Sequence, residues 1–202
     1  PYAGMNDGHT VTIRPKAGLN VTISGSSSTG IIALLGVDNI IIDGSPDGGD
    51  DRSLTIENTG TQLNSYVTGL FHDGVKGVSG SAIKNCIIKA GDRYNNTWGI
   101  VLNPNGGDYD NILIQNNELL NATTGIQFVG SPLGTSNNGI IAQNVFGNDN
   151  NNLTLGNAGL HISNTDGLQV TGNIFKNITT NADPKGINIG LNTKNAVISG
   201  NR

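Results

Sequence analysis

Residues Asn111–Asn121 read N-I-L-I-Q-N-N-E-L-L-N. Ile112 and Ile114 alternate with polar neighbours, so they share one face of a short strand. Asn116-Asn117 breaks that strand, and Leu119 opens the next apolar face. The same order of apolar and Asn positions returns at Ile141, Asn144, Phe146, Asn148 and at Leu168, Val170, Asn173, Phe175, Asn177. It begins once more at Ala196, Ile198, Asn201. An earlier copy (Ser81, Ile83, Cys86, Ile88, Ala90) has Cys86 in the Asn place.

From Cys86 through Asn117, Asn144 and Asn173 to Asn201 the steps are 31, 27, 29 and 28 residues. A second marker, Gly followed by apolar residues, runs between them at Gly69, Gly99, Gly125, Gly159 and Gly186, with steps of 30, 26, 34 and 27. Two markers in fixed order with one mean period indicate a repeat architecture of the solenoid, propeller or array kind. Each period holds short strands and no stretch with helical spacing. A propeller blade needs four antiparallel strands in ~40–45 residues, and a leucine-rich repeat would show Leu-x-x-Leu-x-Leu. Neither fits. The strands carry apolar residues at i and i+2, one inward face each, which stacking coils bury as a continuous column. The fold expected is all-β: a right-handed parallel β-helix of about six to eight coils without substantial helix, roughly 30–40 Å long at ~4.8 Å per coil. It is expected to take residues 1–202 as a single domain, with regular coils from about residue 30 onward. The chain opens on Pro1-Tyr2 and reads as a segment of a longer protein.

Before the regular repeat, His9–Ile13, Asn20–Ser24, Gly30–Leu35, Asn39–Asp43 and Ser53–Glu57 read as strands, and Ser45–Asp51 as a loop. At each repeat the Asn is expected to turn one strand into the next in the left-handed region, which Asn tolerates. Its amide is expected to stack on those above and below. The ladder then comprises Asn117, Asn144, Asn173 and Asn201, with Cys86 substituting at one end.

Composition excludes some partners. Net charge is −4, with charged residues at 13%, and no run of Lys or Arg occurs, which argues against nucleic acid. No apolar run is long enough to span a membrane as a helix. The single cysteine cannot form an internal disulfide, and between apolar neighbours Cys86 reads as a buried, inert thiol. Thirty glycines and abundant Asn suit many tight turns.

The repeated N-x-I-x-x-N-x-[FL] with G-I-x-[FI] resembles the coils of the pectate-lyase-like superfamily of parallel β-helices. V-D-N-I-I-I-D-G-S (Val37–Ser45), S-L-T-I-E-N and A-I-K-N-C-I-I-K-A are similar to stretches of large secreted or surface β-helix proteins of Bacteroidetes-type bacteria. The resemblance implies an extracellular or cell-surface location. It also implies that any chemistry sits on the outer face of one sheet. On the Gly-marked strand the outward residues read Phe71, Val101, Gln127, His161 and Asn188, with Asn103, Val129, Ser163 and Gly190 two positions on. That stripe lacks paired carboxylates and Arg, which acid/base catalysis on a glycan would use.

His161, Asp166, Asp183 and Lys185 are the catalytic candidates. Asn164-Thr165-Asp166 resembles the N-T-D of polygalacturonase-type hydrolases, but the Asp-Asp, Gly-His-Gly and Arg-x-Lys elements that follow in that family are missing. Asp47, Asp50 and Asp51 share one glycine-rich loop of the kind that can hold Ca²⁺, with Asp108 and Asp110 a second such pair. Tyr94, Trp98 and Tyr109 are expected to cluster in loops around one coil, where exposed rings suit a sugar. Asn20, Asn95, Asn121, Asn152 and Asn177 begin N-x-[ST] sequons.

The leading expectation is a non-enzymatic β-helix segment with a structural, filament or adhesive role at the cell surface. It would self-associate by end-to-end coil stacking or continue into further coils. The alternatives are a polysaccharide lyase or glycoside hydrolase fragment, and a carbohydrate-binding module.

Overall fold

The computed structural model describes residues 9–102, 108–131, 136–179 and 183–202. Every pairing between its strands is parallel and joins one coil to the next. The chain is a β-solenoid of about six turns, with no helix among the described residues.

Three sheets run the length of the rod. Sheet A holds Val11–Ile13, Ile40–Asp43, Ala82–Lys84, Leu113–Gln115, Ile140–Ala142, Gln169–Thr171 and Val197–Ser199. Sheet B holds Val21–Gly25, Leu54–Asn58, Cys86–Lys89, Glu118–Leu120, Val145–Phe146 and Ile174–Phe175. Sheet C holds Ile32–Leu35, Tyr66–Phe71, Trp98–Leu102, Thr124–Val129, Ala158–Ser163 and Lys185–Ile189. A short sheet D (Ser136–Asn137, Thr165–Asp166, Thr193–Lys194) joins them in the later coils. The winding is already in register at Val11, earlier than the residue-30 start read from the sequence, because the first strands pair with Ile40–Asp43, Leu54–Asn58 and Tyr66–Phe71.

Alternation along each strand puts one side-chain row inside. In sheet A that row is Ile42, Ile83, Ile114, Ile141 and Val170, buried almost completely. In sheet B it is Ile56, Ile88, Leu119, Phe146 and Phe175, the last two rings stacked at 4.6 Å. Sheet C contributes Leu70, Leu102, Phe128 and Ile162. These columns form one core.

The recurring glycines fit that core. A Cβ on Gly125 would lie 2.7 Å from the Phe146 ring, and one on Gly159 2.5 Å from the Phe175 ring. Gly99 faces Leu119 in the same way. Where sheet B carries only Ile56, the place of Gly99 is taken by buried Val67. Gly69 is not part of this series. It pairs with Val101 and faces outward, beneath the Tyr66 and Phe71 rings.

Asn117, Asn144, Asn173 and Asn201 stack at the corner between sheets A and B. The Oδ1 of Asn144 accepts from the Asn117 N–H (2.9 Å) and Nδ2 (3.1 Å), while its own Nδ2 donates to the Ile114 carbonyl at 2.9 Å. Asn173 repeats the set on Asn144, and Asn201 repeats it on Asn173. At the lower end the Cys86 N–H donates to Asn117 Oδ1 and its thiol to the Lys84 carbonyl. The left-handed turn lies one residue earlier than the sequence reading placed it. Asn85, Asn116, Gln143, Gly172 and Gly200 have φ of 58°, 50°, 58°, 65° and 63°. The residue in the turn swings the chain round, and the next one then points its amide inward, where it bonds backbone groups that the corner leaves without a sheet partner.

Candidate functional site on the outer face of sheet C

The register of sheet C fixes two outward rows. The first is Ala33, Gly69, Val101, Gln127, His161, Asn188. The second holds Leu35, Phe71, Val129 and Ser163, so Phe71 stands one step along from the row in which the sequence reading placed it. Asn103 lies outside the described residues. Tyr66 and Phe71 rest on glycine: a Cβ on Gly30 would fall 1.9 Å from the Tyr66 ring, and one on Gly69 2.2 Å from that of Phe71. Their centroids are 5.1 Å apart. Tyr66 pairs with Trp98 of the next coil. The half-buried Trp98 indole N–H donates to Gln127 Oε1 at 2.9 Å.

Further along the row, His161 Nδ1 meets the Asn188 amide at 2.8 Å, and burial lowers the imidazole pKa below its ordinary value. Beside it lies an open hollow of about 420 Å³ lined by His161, Ser163, Asn164, Gly190, Leu191 and Asn192.

The four catalytic candidates do not form one constellation. Among the described residues, the only two of them joined by an ion pair or hydrogen bond are Lys185 and Asp183, whose ammonium reaches Asp183 Oδ2 at 2.8 Å and the Asp183 carbonyl at 2.9 Å. The ammonium holds the Asp183 carboxyl below the usual carboxylate range. Lys185 opens its strand and pairs with Ala158, three residues before His161. Asp166 lies round the corner in sheet D, where its carboxylate accepts from Asn195 Nδ2 at 2.7 Å.

The expected aromatic loop cluster does not form. Tyr109 is fully buried in the core, because the turn before Leu113–Gln115 carries it inward. Trp98 sits on a strand, and only Tyr94 stands exposed in a loop, with the Arg93 guanidinium 5.0 Å from its ring centre. The rings that do share a face with Trp98 are Tyr66 and Phe71. The signal that could have found them is Gly30 and Gly69, small residues placed where large rings must lie.

In the acidic loop, Asp47 Oδ1 accepts from Ser45 Oγ (2.9 Å) and the Gly49 N–H (3.0 Å), bonds that lower its pKa. Asp50 presents its carbonyl, not its carboxylate, to Asn116 Nδ2 at 2.9 Å. Asp51 is exposed at the end of the loop. Asp110 Oδ1 accepts from the Asn137 N–H and Nδ2, and Asp108 and Asp110 together line a hollow with Asp38, His72 and Lys76. Among the described residues, no three His, Cys, Asp or Glu side chains are placed to hold a metal ion.

No family model, curated protein or solved structure matches this chain.

Proposed function

We propose that the chain is a non-catalytic β-helix segment with a structural or adhesive role in an extracellular or cell-surface protein. The observation that carries this reading is the unbroken axial bonding. Three parallel sheets link each coil to the next, and from Cys86 onward a buried amide ladder runs beside them, so tension along the rod is shared by many hydrogen bonds at once. The resemblance to pectate-lyase-like coils and to surface β-helices of Bacteroidetes-type bacteria supports the same setting. Among the described residues, the hollow beside His161 has no carboxylate in its lining to act with the imidazole as an acid/base pair, which supports the non-catalytic part of the reading.

A second reading, carbohydrate binding, is favoured by Tyr66, Phe71 and Trp98 on the outer face of sheet C. A flat ring offers apolar area to a sugar with a polar edge beside it. One experiment addresses both. The chain is incubated with a panel of neutral and uronate-rich polysaccharides, and both retention and product release are measured. The expected result is no new reducing or unsaturated chain ends. Their appearance would replace this reading with a lyase or hydrolase. Retention lost on Trp98→Ala would favour the carbohydrate-binding reading.

A further inference from the structure

Thr68 and Thr165 carry hydroxyls sealed in the interior without a hydrogen-bond partner. Ser163 differs. The residue is only 8% exposed and its hydroxyl also has no partner among the described residues, yet its side chain lines the hollow at the end of the Ala158–Ser163 strand. Gly190 keeps that opening clear. A Cβ there would sit 2.8 Å from Ser163 Cβ and 3.6 Å from its Oγ. A hydroxyl without a protein partner that faces an open hollow is free to bond water, and a ligand hydroxyl can take that water's place.

The neighbours define what that ligand offers. The Asn188 amide nitrogen donates to His161 Nδ1, which puts the imidazole proton on Nε2 and makes that atom a donor. Asn164 uses its Nδ2 on the Gly130 carbonyl (3.2 Å) and its Oδ1 on Asn192 Nδ2 (3.0 Å). Asn192 keeps its own Oδ1 as an acceptor. Leu191 and the imidazole supply apolar flanks. The set is a hydroxyl, an N–H donor and a carbonyl acceptor, with no cation. A carboxylate placed here would lose water and gain no counter-charge.

We propose that this hollow binds one uncharged sugar unit of a polysaccharide, with Ser163 and His161 hydrogen-bonding its ring hydroxyls. The site extends the carbohydrate-binding reading of sheet C and depends on it only for the ligand class. A uronate is disfavoured by the neutral lining.

The test is calorimetric titration of the intact chain with neutral hexasaccharides of glucose and of mannose, and with an oligogalacturonate of equal length. The neutral chains are expected to bind and the charged one to bind at least about tenfold more weakly. Ser163→Ala is expected to weaken neutral binding about tenfold, the loss of one hydrogen bond, without changing the melting temperature. Gly190→Ala should also weaken binding by filling the opening, at a cost in melting temperature because its Cβ would lie 2.8 Å from Ser163 Cβ and 3.1 Å from the Ile162 carbonyl. Preference for the oligogalacturonate, or unchanged affinity in Ser163→Ala, overturns the proposal. If Trp98→Ala abolishes binding while Ser163→Ala does not, sheet C still meets glycan and only this subsite falls. If no saccharide binds at millimolar concentration, both ideas fall together.

Discussion

At the scale of single residues the recurring Asn does two jobs in two adjacent positions. The first, seen at Asn85 and Asn116, accepts a left-handed backbone; Gln143, Gly172 and Gly200 show that other residues can fill it. The second, at Asn117, Asn144 and Asn173, is fully buried and bonds the coil below and the coil above. The sequence pattern located the ladder column but not this division of labour, because Asn116-Asn117 is the same residue twice. Asn144→Ala leaves the Asn117 N–H and the Ile114 carbonyl unpaired in the interior. With a buried orphan group costing about 1–3 kcal/mol, the variant is expected to lose about 2–4 kcal/mol in urea unfolding. Asn201→Ala removes the same amide at a half-exposed site where water can replace it, and is expected to cost less than about 1 kcal/mol. Equal losses at the two positions would mean that the ladder's buried bonds are not the source of the effect.

At the scale of strands and corners, what the sequence showed clearly was period and alternation. Short strands with apolar residues at i and i+2 were legible, and so was the outward parity of Gln127, His161 and Ser163. Register was less legible. Gly69 matches the motif of Gly99 but lies two residues out of phase, facing rings on the outer surface instead of the core. A glycine marks missing volume without saying on which side of the sheet. Nor could the sequence bury Tyr109, whose turn is irregular. The inward series gives the sharper prediction, since small residues in sheet C answer large ones in sheet B. Gly125→Ala brings a methyl to 2.7 Å from both the Phe146 ring and the Gly159 carbonyl. Overpacking of this kind is expected to cost about 1–3 kcal/mol. Phe146→Ile, the kind of residue that stands opposite Val67, should recover part of it. A double-mutant cycle is expected to show coupling above about 0.5 kcal/mol, whereas additive losses would place the strain wholly on the backbone.

At the scale of the whole molecule, stability as a function of pH follows from a few groups held unlike their free forms. Asp43 is almost fully buried. Burial pushes its carboxyl up, but the Asn85 amide, the Ser45 N–H and Lys84 more than offset this, so its pKa is lowered. Lys84 Nζ lies 3.1 Å from Oδ2 as an ion pair, without hydrogen-bond geometry. A depressed carboxylate stabilises the fold above its unfolded pKa of about 3.9 and stops doing so as pH falls through the folded value. His161, also depressed by burial, takes up its proton at a lower pH in the fold than in the unfolded chain, so protonation of the unfolded chain below about pH 6.5 draws stability away as pH falls toward the folded value. The alkaline side belongs first to Cys86. Burial, with a smaller contribution from the Asp43 charge, raises its thiol to about 12, partly countered by a backbone hydrogen bond from Gly44. The unfolded thiol ionises from about pH 8.5 while the folded one does not. Stability is then fully present below that pH and falls by about 1.4 kcal/mol per pH unit above it. Tyr66, raised by burial, joins only above about pH 10. Between pH 9 and 10 the slope should therefore report a single thiol. Urea midpoints measured across that interval are expected to fall in the parent chain and to stay level in Cys86→Ala, whatever that variant's absolute stability. The same slope in both would assign the alkaline loss to a group other than Cys86 and would mean that the column beneath the amide ladder is open to water.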